Sequence, residues 1–66
     1  MKNNLKVQRA INNFTQQDLA ERVNVSRQTI NALEAGKYVP STVLSLKIAK
    51  LFGLTVNDIF ELEDTD

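Results

Sequence analysis

Apolar side chains recur at helical spacing in three stretches of this chain. Each stretch opens on a hydroxyl residue and closes on a residue suited to left-handed backbone. Counting Gln16 as first, Leu19, Val23, Val25, Ile30 and Leu33 fall at the fourth, eighth, tenth, fifteenth and eighteenth places. This spacing predicts two short helices held at a fixed angle, the first over about 15–23 and the second over about 26–34. Ala20, between the apolar positions of the first helix, is small enough for the two helices to cross closely. Asn24 stands in the turn between them, where the backbone must turn left-handed. Asn is one of the few residues besides glycine that tolerate that conformation.

The helix starts repeat one local device. Phe14-Thr15-x-x-Asp18-Leu19 and Leu54-Thr55-x-x-Asp58-Ile59 each place a hydroxyl at the N-cap, a carboxylate three residues on, and apolar residues on either side. Those are the signatures of a capping box and a hydrophobic staple. Val25-Ser26-x-x-Thr29-Ile30 has the cap and staple without the carboxylate. A further start follows Pro40-Ser41. Gly36 and Gly53 are natural stops for the helices that begin at Ser26 and Ser41. Within residues 41–52, Leu44, Ile48, Leu51 and Phe52 share one face with Ala49 beside them, opposite Lys47 and Lys50. A first helix is expected from about Leu5 to Asn12, anchored by Leu5 and Val7. Its pattern is poor, because Gln8 sits where a core residue would be expected. Residues 56–59 make at most two turns. Phe60-Glu61-Leu62-Glu63 alternates as a strand does, and the extended start at residues 1–3 is its one plausible partner. The chain therefore reads as one all-α domain over residues 1–66, five helices with a small terminal β-pairing of residues 1–3 with 60–63.

Sixty-six residues bury little, so a core of this size is marginal alone. With no Cys and no His, disulfides, thiolate metal sites and histidine-based catalysis are excluded. No enzyme, cofactor or metal is expected. No apolar run is long enough to span a bilayer, and Met1–Leu5 lacks the apolar core of a signal peptide, so a cytoplasmic, nucleoid-associated location is expected. Net charge is zero, which by itself argues against nucleic acid. Its distribution changes that: residues 1–40 hold six basic against three acidic residues, and residues 41–66 hold two against five. The half with the helix pair is basic and the tail is acidic, as suits a molecule with one face toward DNA.

On the helix from Ser26, Ile30 and Leu33 point one way, while Arg27, Gln28, Asn31 and Ala32 point the other. Arg can pair with O6 and N7 of guanine, and Gln or Asn with N6 and N7 of adenine. Ala32 suits a thymine methyl or simply permits close approach. An outward row without a carboxylate fits base reading better than an ordinary solvated face. Gln16 opens the preceding helix, where its amide and the free backbone N–H groups are placed for a phosphate oxygen. Thr29, Lys37 and Tyr38 are further backbone-contact candidates, although Tyr38 beside Val39-Pro40 reads equally as a lid on the core. Arg9 and Glu34 are either a partly buried pair fixing the angle between two helices or two independent surface charges.

Taken together, Leu5-Lys6-x-x-Arg9, Thr15-Gln16-x-x-Leu19-Ala20, Val25-Ser26-Arg27-Gln28-Thr29-Ile30, Glu34-x-Gly36-Lys37-Tyr38, Pro40-Ser41 and Ile48-Ala49 resemble the lambda/434 repressor and Cro type of helix-turn-helix domain, the XRE family. The likeness runs from about Leu5 to Phe60. It is similar to the compact subgroup typified by the cytolysin-operon repressor, which adds a small terminal β-pairing. The resemblance implies a five-helix lambda-repressor-like bundle in which Arg9 and Glu34 pair. It implies base contacts from Ser26, Arg27, Gln28 and Ala32, with Asn31 nearby, and phosphate contacts from Gln16 and the Lys37–Tyr38 loop. Its members bind palindromic operators as dimers and repress transcription. Asn24 departs from the usual turn glycine. Ala32 stands where some members carry a larger polar reader, which leaves its target base open.

Leu46, Leu54, Val56, Ile59 and Leu62 are apolar residues left over late in the chain. They form a homodimer surface or complete the monomer core. Two other readings use the same fold: the antitoxin of a toxin–antitoxin pair, which adds a protein partner, and a docking module that has lost DNA binding. The carboxylate-free outward row argues against the second. No small-molecule ligand is evident.

Overall fold

Every helix except the first begins where a side chain takes over a free backbone N–H. In the computed structural model, which describes residues 1–66, the order is β1 (Lys2–Asn3), α1 (Leu5–Ile11), α2 (Gln16–Val23), α3 (Arg27–Glu34), α4 (Thr42–Phe52), α5 (Val56–Ile59) and β2 (Phe60–Glu61). Thr15 Oγ1 accepts from the Asp18 N–H at 3.0 Å while the Asp18 carboxylate accepts from the Thr15 N–H at 2.9 Å. Thr55 and Asp58 repeat this reciprocal box. Ser26 and Ser41 cap α3 and α4 with their hydroxyls alone. The backbone N–H of the cap residue, and then its hydroxyl contact, hold the Asp18 and Asp58 carboxyls below the ordinary carboxylate range.

Left-handed residues follow α1 to α4. Asn24 ends α2 at φ 62° and Gly53 ends α4 at φ 68°. Asn13, at φ 57°, turns the chain out of α1, a use of Asn that the sequence pattern did not mark.

The core draws Leu19, Ala20 and Val23 from α2, Ile30 and Leu33 from α3, and Leu44, Ile48 and Ala49 from α4, with Leu5, Ile59 and Phe60 closing it. Ala20 is 1% exposed, so a methyl is all that fits there. Phe14 and Phe52 extend the core at one end, their ring centroids 6.0 Å apart. The Arg22 guanidinium lies 4.3 Å from the Phe14 centroid, a cation–π contact that covers the ring.

Two expectations are corrected. Val7 is no anchor: it is 56% exposed, because α1 turns Leu5, with the stems of Gln8 and Arg9, inward instead. Ile59 is no free interface residue: at 3% exposure it belongs to the monomer core, because the short α5 folds its one inward position under α4. Leu54 and Val56 are half-buried against the same core.

The terminal strands pair antiparallel, Lys2 opposite Glu61 and Asn3 opposite Phe60, a shorter ladder than the one expected over residues 60–63. Asn3 also ties this sheet to α3. Its Nδ2 donates to the Leu33 carbonyl at 2.8 Å, and its Oδ1 accepts from the Leu5 N–H at 3.1 Å. The Met1 ammonium lies 3.1 Å from Asp66 and 3.2 Å from Glu63. No helix is long and apolar enough to cross a membrane.

Candidate nucleic-acid interface

α3 owes its orientation to Ile30 and Leu33, which are at most 1% exposed and pin its inner face. The opposite face carries Arg27, Gln28 and Asn31, all exposed, with Ala32 half-exposed beside them. Arg27 forms no ion pair. Arg27, Gln28 and Asn31 line a shallow notch together with Gln16 of α2, so residues from both helices of the pair meet at one surface.

Ser26 lies at the start of that face. Its Oγ caps the Thr29 N–H at 3.1 Å and bonds the Thr29 hydroxyl at 3.0 Å. Two hydroxyl hydrogens serve one contact between them, so one remains to reach a phosphate or base. Lys37 and Tyr38 follow α3 in an exposed loop, and Tyr38 is 45% exposed. This places Tyr38 outside the core; it is not a lid. Lys37 has no acidic partner.

Arg9 and Glu34 form a doubly bonded pair: Nε donates to one carboxylate oxygen and Nη2 to the other, the latter at 2.9 Å. Their side chains are 15% and 8% exposed. The guanidinium also donates to the Phe14 carbonyl at 3.0 Å, so one side chain fastens α1 to α3 and to the α1–α2 turn. The contact with Glu34 pushes the Arg9 pKa further above its usual value.

Gln16 is where sequence reading was least complete. Its Nε2 stands 3.3 Å from Glu34 Oε1 and 3.3 Å from Asn31 Oδ1. A side chain expected to face phosphate is thus engaged within the protein, on Glu34 of the ion pair and on Asn31 of the outward row. Nothing in the sequence marks a hydrogen bond spanning the two helices. Asn3 was missed for the same reason. Of the late apolar residues, Leu46 and Leu62 are 57% and 78% exposed, and Val39 and Val43 join them at 65% and 63%. Leu46 and Val56 line an apolar groove that runs past Pro40 and Phe60. No group of His, Cys, Asp or Glu comes together to hold a metal.

The family described as helix-turn-helix matches residues 5–59. A curated protein of Methanocaldococcus jannaschii, named an uncharacterized HTH-type transcriptional regulator, is 58% identical over 66 residues, covering all of both chains. The HTH-type regulator YgzD of Bacillus subtilis is 48% identical over 64 residues, 97% of each chain. A similarly named protein of Archaeoglobus fulgidus is 46% identical over the whole of this chain and 93% of its own.

Proposed function

The chain belongs to the helix-turn-helix family, and from that premise we propose that it is a transcription regulator that binds duplex DNA sequence-specifically. The observation that carries this reading is the outward row of α3. Arg27, Gln28 and Asn31 stand exposed on a helix whose other face is fixed in the core. Arg27 and Gln28 have no side-chain partner in the protein, and no carboxylate interrupts the row. Ser26 and Ala32 flank it as the remaining base-contact positions. Lys37, Tyr38 and Thr29 grip the sugar–phosphate backbone, which sets register while the row reads sequence. The relatives' printed names, HTH-type transcriptional regulators, agree with this.

The proposal extends to residues 1–66 acting as one domain and to a homodimer on a palindromic operator that represses by occupying it. A single unit reads few base pairs, so paired half-sites about 34 Å apart supply the missing specificity. The molecule measures 31 × 23 × 21 Å, so two copies side by side bring equivalent helices to that order of spacing. Exposed Leu46 and Leu62, with half-buried Val56, supply an apolar surface outside α3 for the second copy.

Selection from a randomised duplex library tests the whole reading, followed by fluorescence anisotropy on the selected site across a salt series. Expected are a two-fold symmetric site and affinity that falls steeply with salt. Enrichment of no sequence over random DNA would overturn it.

A further inference from the structure

Residues 61–66 carry Glu61, Glu63, Asp64 and Asp66 and no basic residue. The division of charge along the chain suggests that this acidic tail faces away from DNA. The fold brings part of it back to the end of α3. β2 pairs with β1, and the chain beyond β2 curls so that Asp66 Oδ2 accepts from the Glu63 N–H at 2.8 Å. The Met1 ammonium holds the Glu63 carboxylate at 3.2 Å. Glu63 thereby lines a shallow cleft with Met1, Lys2, Asn3, Ala35 and Gly36. Gly36 is one residue before Lys37, which is exposed and has no acidic partner. The two sides of the cleft are fastened to each other. Asn3 Nδ2 donates to the Leu33 carbonyl at 2.8 Å, and the Met1 carbonyl lies 3.7 Å from the point where a Cβ on Gly36 would stand.

We propose that Glu63 is a negative boundary on the loop that holds Lys37: its carboxylate lowers the affinity of that loop for the phosphates of any duplex and so limits sequence-independent binding. The cations at the cleft do not cancel the tail. Glu61, Glu63, Asp64 and Asp66 stand against only the Met1 ammonium and Lys2, while Glu34 is already paired with Arg9. A phosphate drawn to Lys37 stands about one Debye length from the Glu63 carboxylate, roughly 10 Å at 0.1 M salt. Like charges at that separation, in the mixed dielectric of a protein surface, change binding by about two-fold per copy at about 0.05 M salt. Selected and random duplexes share this effect, because both are gripped by phosphate and only the selected one is read by base. Glu63 therefore sets how tightly the protein rests on DNA and leaves base preference to α3. The inference rests on the DNA-binding assignment above.

The test is fluorescence anisotropy on random and selected duplexes across a salt series, with melting curves to confirm folding. In Glu63→Gln the amide oxygen still accepts from the Met1 ammonium, and Asp66 keeps its own contact, so the tail stays folded. Glu63→Ser repeats the neutralisation with a shorter side chain. Glu61→Gln removes the same unit of charge from β2, in a different cleft beside Asn57 and Asp58. Both Glu63 variants are expected to bind random DNA about two-fold tighter per copy at about 0.05 M salt, to keep the wild-type base preference, and to lose the gain as salt rises. Glu61→Gln should gain less, and the gain from Glu63→Gln should shrink when Lys37→Ala is also present. If wild type binds no duplex at low salt, the DNA-binding assignment fails and this inference with it. If wild type binds duplexes without selecting a sequence, the sequence-reading assignment fails, and the random duplexes still decide this inference. If wild type binds and neither Glu63 variant is tighter, the inference alone is overturned. Equal gains from Glu61→Gln would make net charge the cause and overturn the role of position, as would a gain undiminished by Lys37→Ala.

Discussion

Arg27 and Lys37 carry the same charge, and their surroundings give them different work. Arg27 lies on the outward row of α3 that is proposed to meet base edges, and Lys37 lies in the loop after the helix. Arg27→Ala is expected to cost about 1–3 kcal/mol on the selected site and to relax preference at one base pair, with little change on random DNA. Lys37→Ala should weaken both by a similar factor and lower the salt slope by about 1. Anisotropy on matched specific and random duplexes at several salt concentrations separates the two. Equal losses for Arg27→Ala on both duplexes would make Arg27 a phosphate contact. The outward identity of Arg27, Gln28 and Asn31 was legible in the sequence, because helical periodicity alone sorts inner from outer positions once Ile30 and Leu33 are recognised. The hydrogen bonds of Gln16 to Asn31 and Glu34 were not legible, because no local rule links those side chains.

Helix starts and stops are the part of this fold that short-range chemistry decides. Thr15 with Asp18 and Thr55 with Asp58 interact within one turn, which is why their spacing could be read directly. Both carboxyls sit below the ordinary range because their charged forms accept backbone N–H groups. A depressed folded pKa means that the stabilisation is complete above the unfolded value and is lost as pH falls through the folded one. The melting temperature should therefore hold down to about pH 5 and drop as pH falls through about 4 and below, and an Asp18→Asn, Asp58→Asn double variant should melt lower at neutral pH and lose less on acidification. A double variant that parallels wild type at every pH would show that the boxes contribute nothing. Between α2 and α3 the deciding element is Ala20, 1% exposed. Ala20→Leu should cost about 1–3 kcal/mol through overpacking, seen as a lower urea midpoint. An unchanged midpoint would refute the close crossing. α1 was legible only in outline: its inner face includes Arg9, whose partner Glu34 is distant in sequence. For the same reason Val7 is exposed where the apolar pattern expected an anchor.

At the scale of the whole molecule, the late apolar residues divide between two tasks that composition cannot separate. Ile59 closes the monomer core, while Leu46 and Leu62 stay outside it. Leu46→Asp is thus the cleaner probe of self-association, since Val56 is half-buried and its loss would also disturb folding. Sedimentation at micromolar concentration should show a wild-type dimer and a Leu46→Asp monomer that retains its helical content and binds the operator weakly. A wild type that sediments as a monomer would remove this surface from the proposal. The pairing of β1 with β2 has a separate consequence for the order of events when the protein is made. Lys2 meets Glu61 and Asn3 meets Phe60, so the sheet joins segments from almost opposite ends of the chain. Asn3, held in that sheet, also donates to the Leu33 carbonyl near the end of α3. During synthesis, α2 and α3 can emerge and pack from local contacts while Asn3 still waits for β2 to leave the ribosome. Closing so long a loop is also the step with the highest entropic cost. A nascent chain would carry a formed but loosely held α3 until Phe60 and Glu61 had emerged, so α3 would gain its last fastening only when β2 paired with β1.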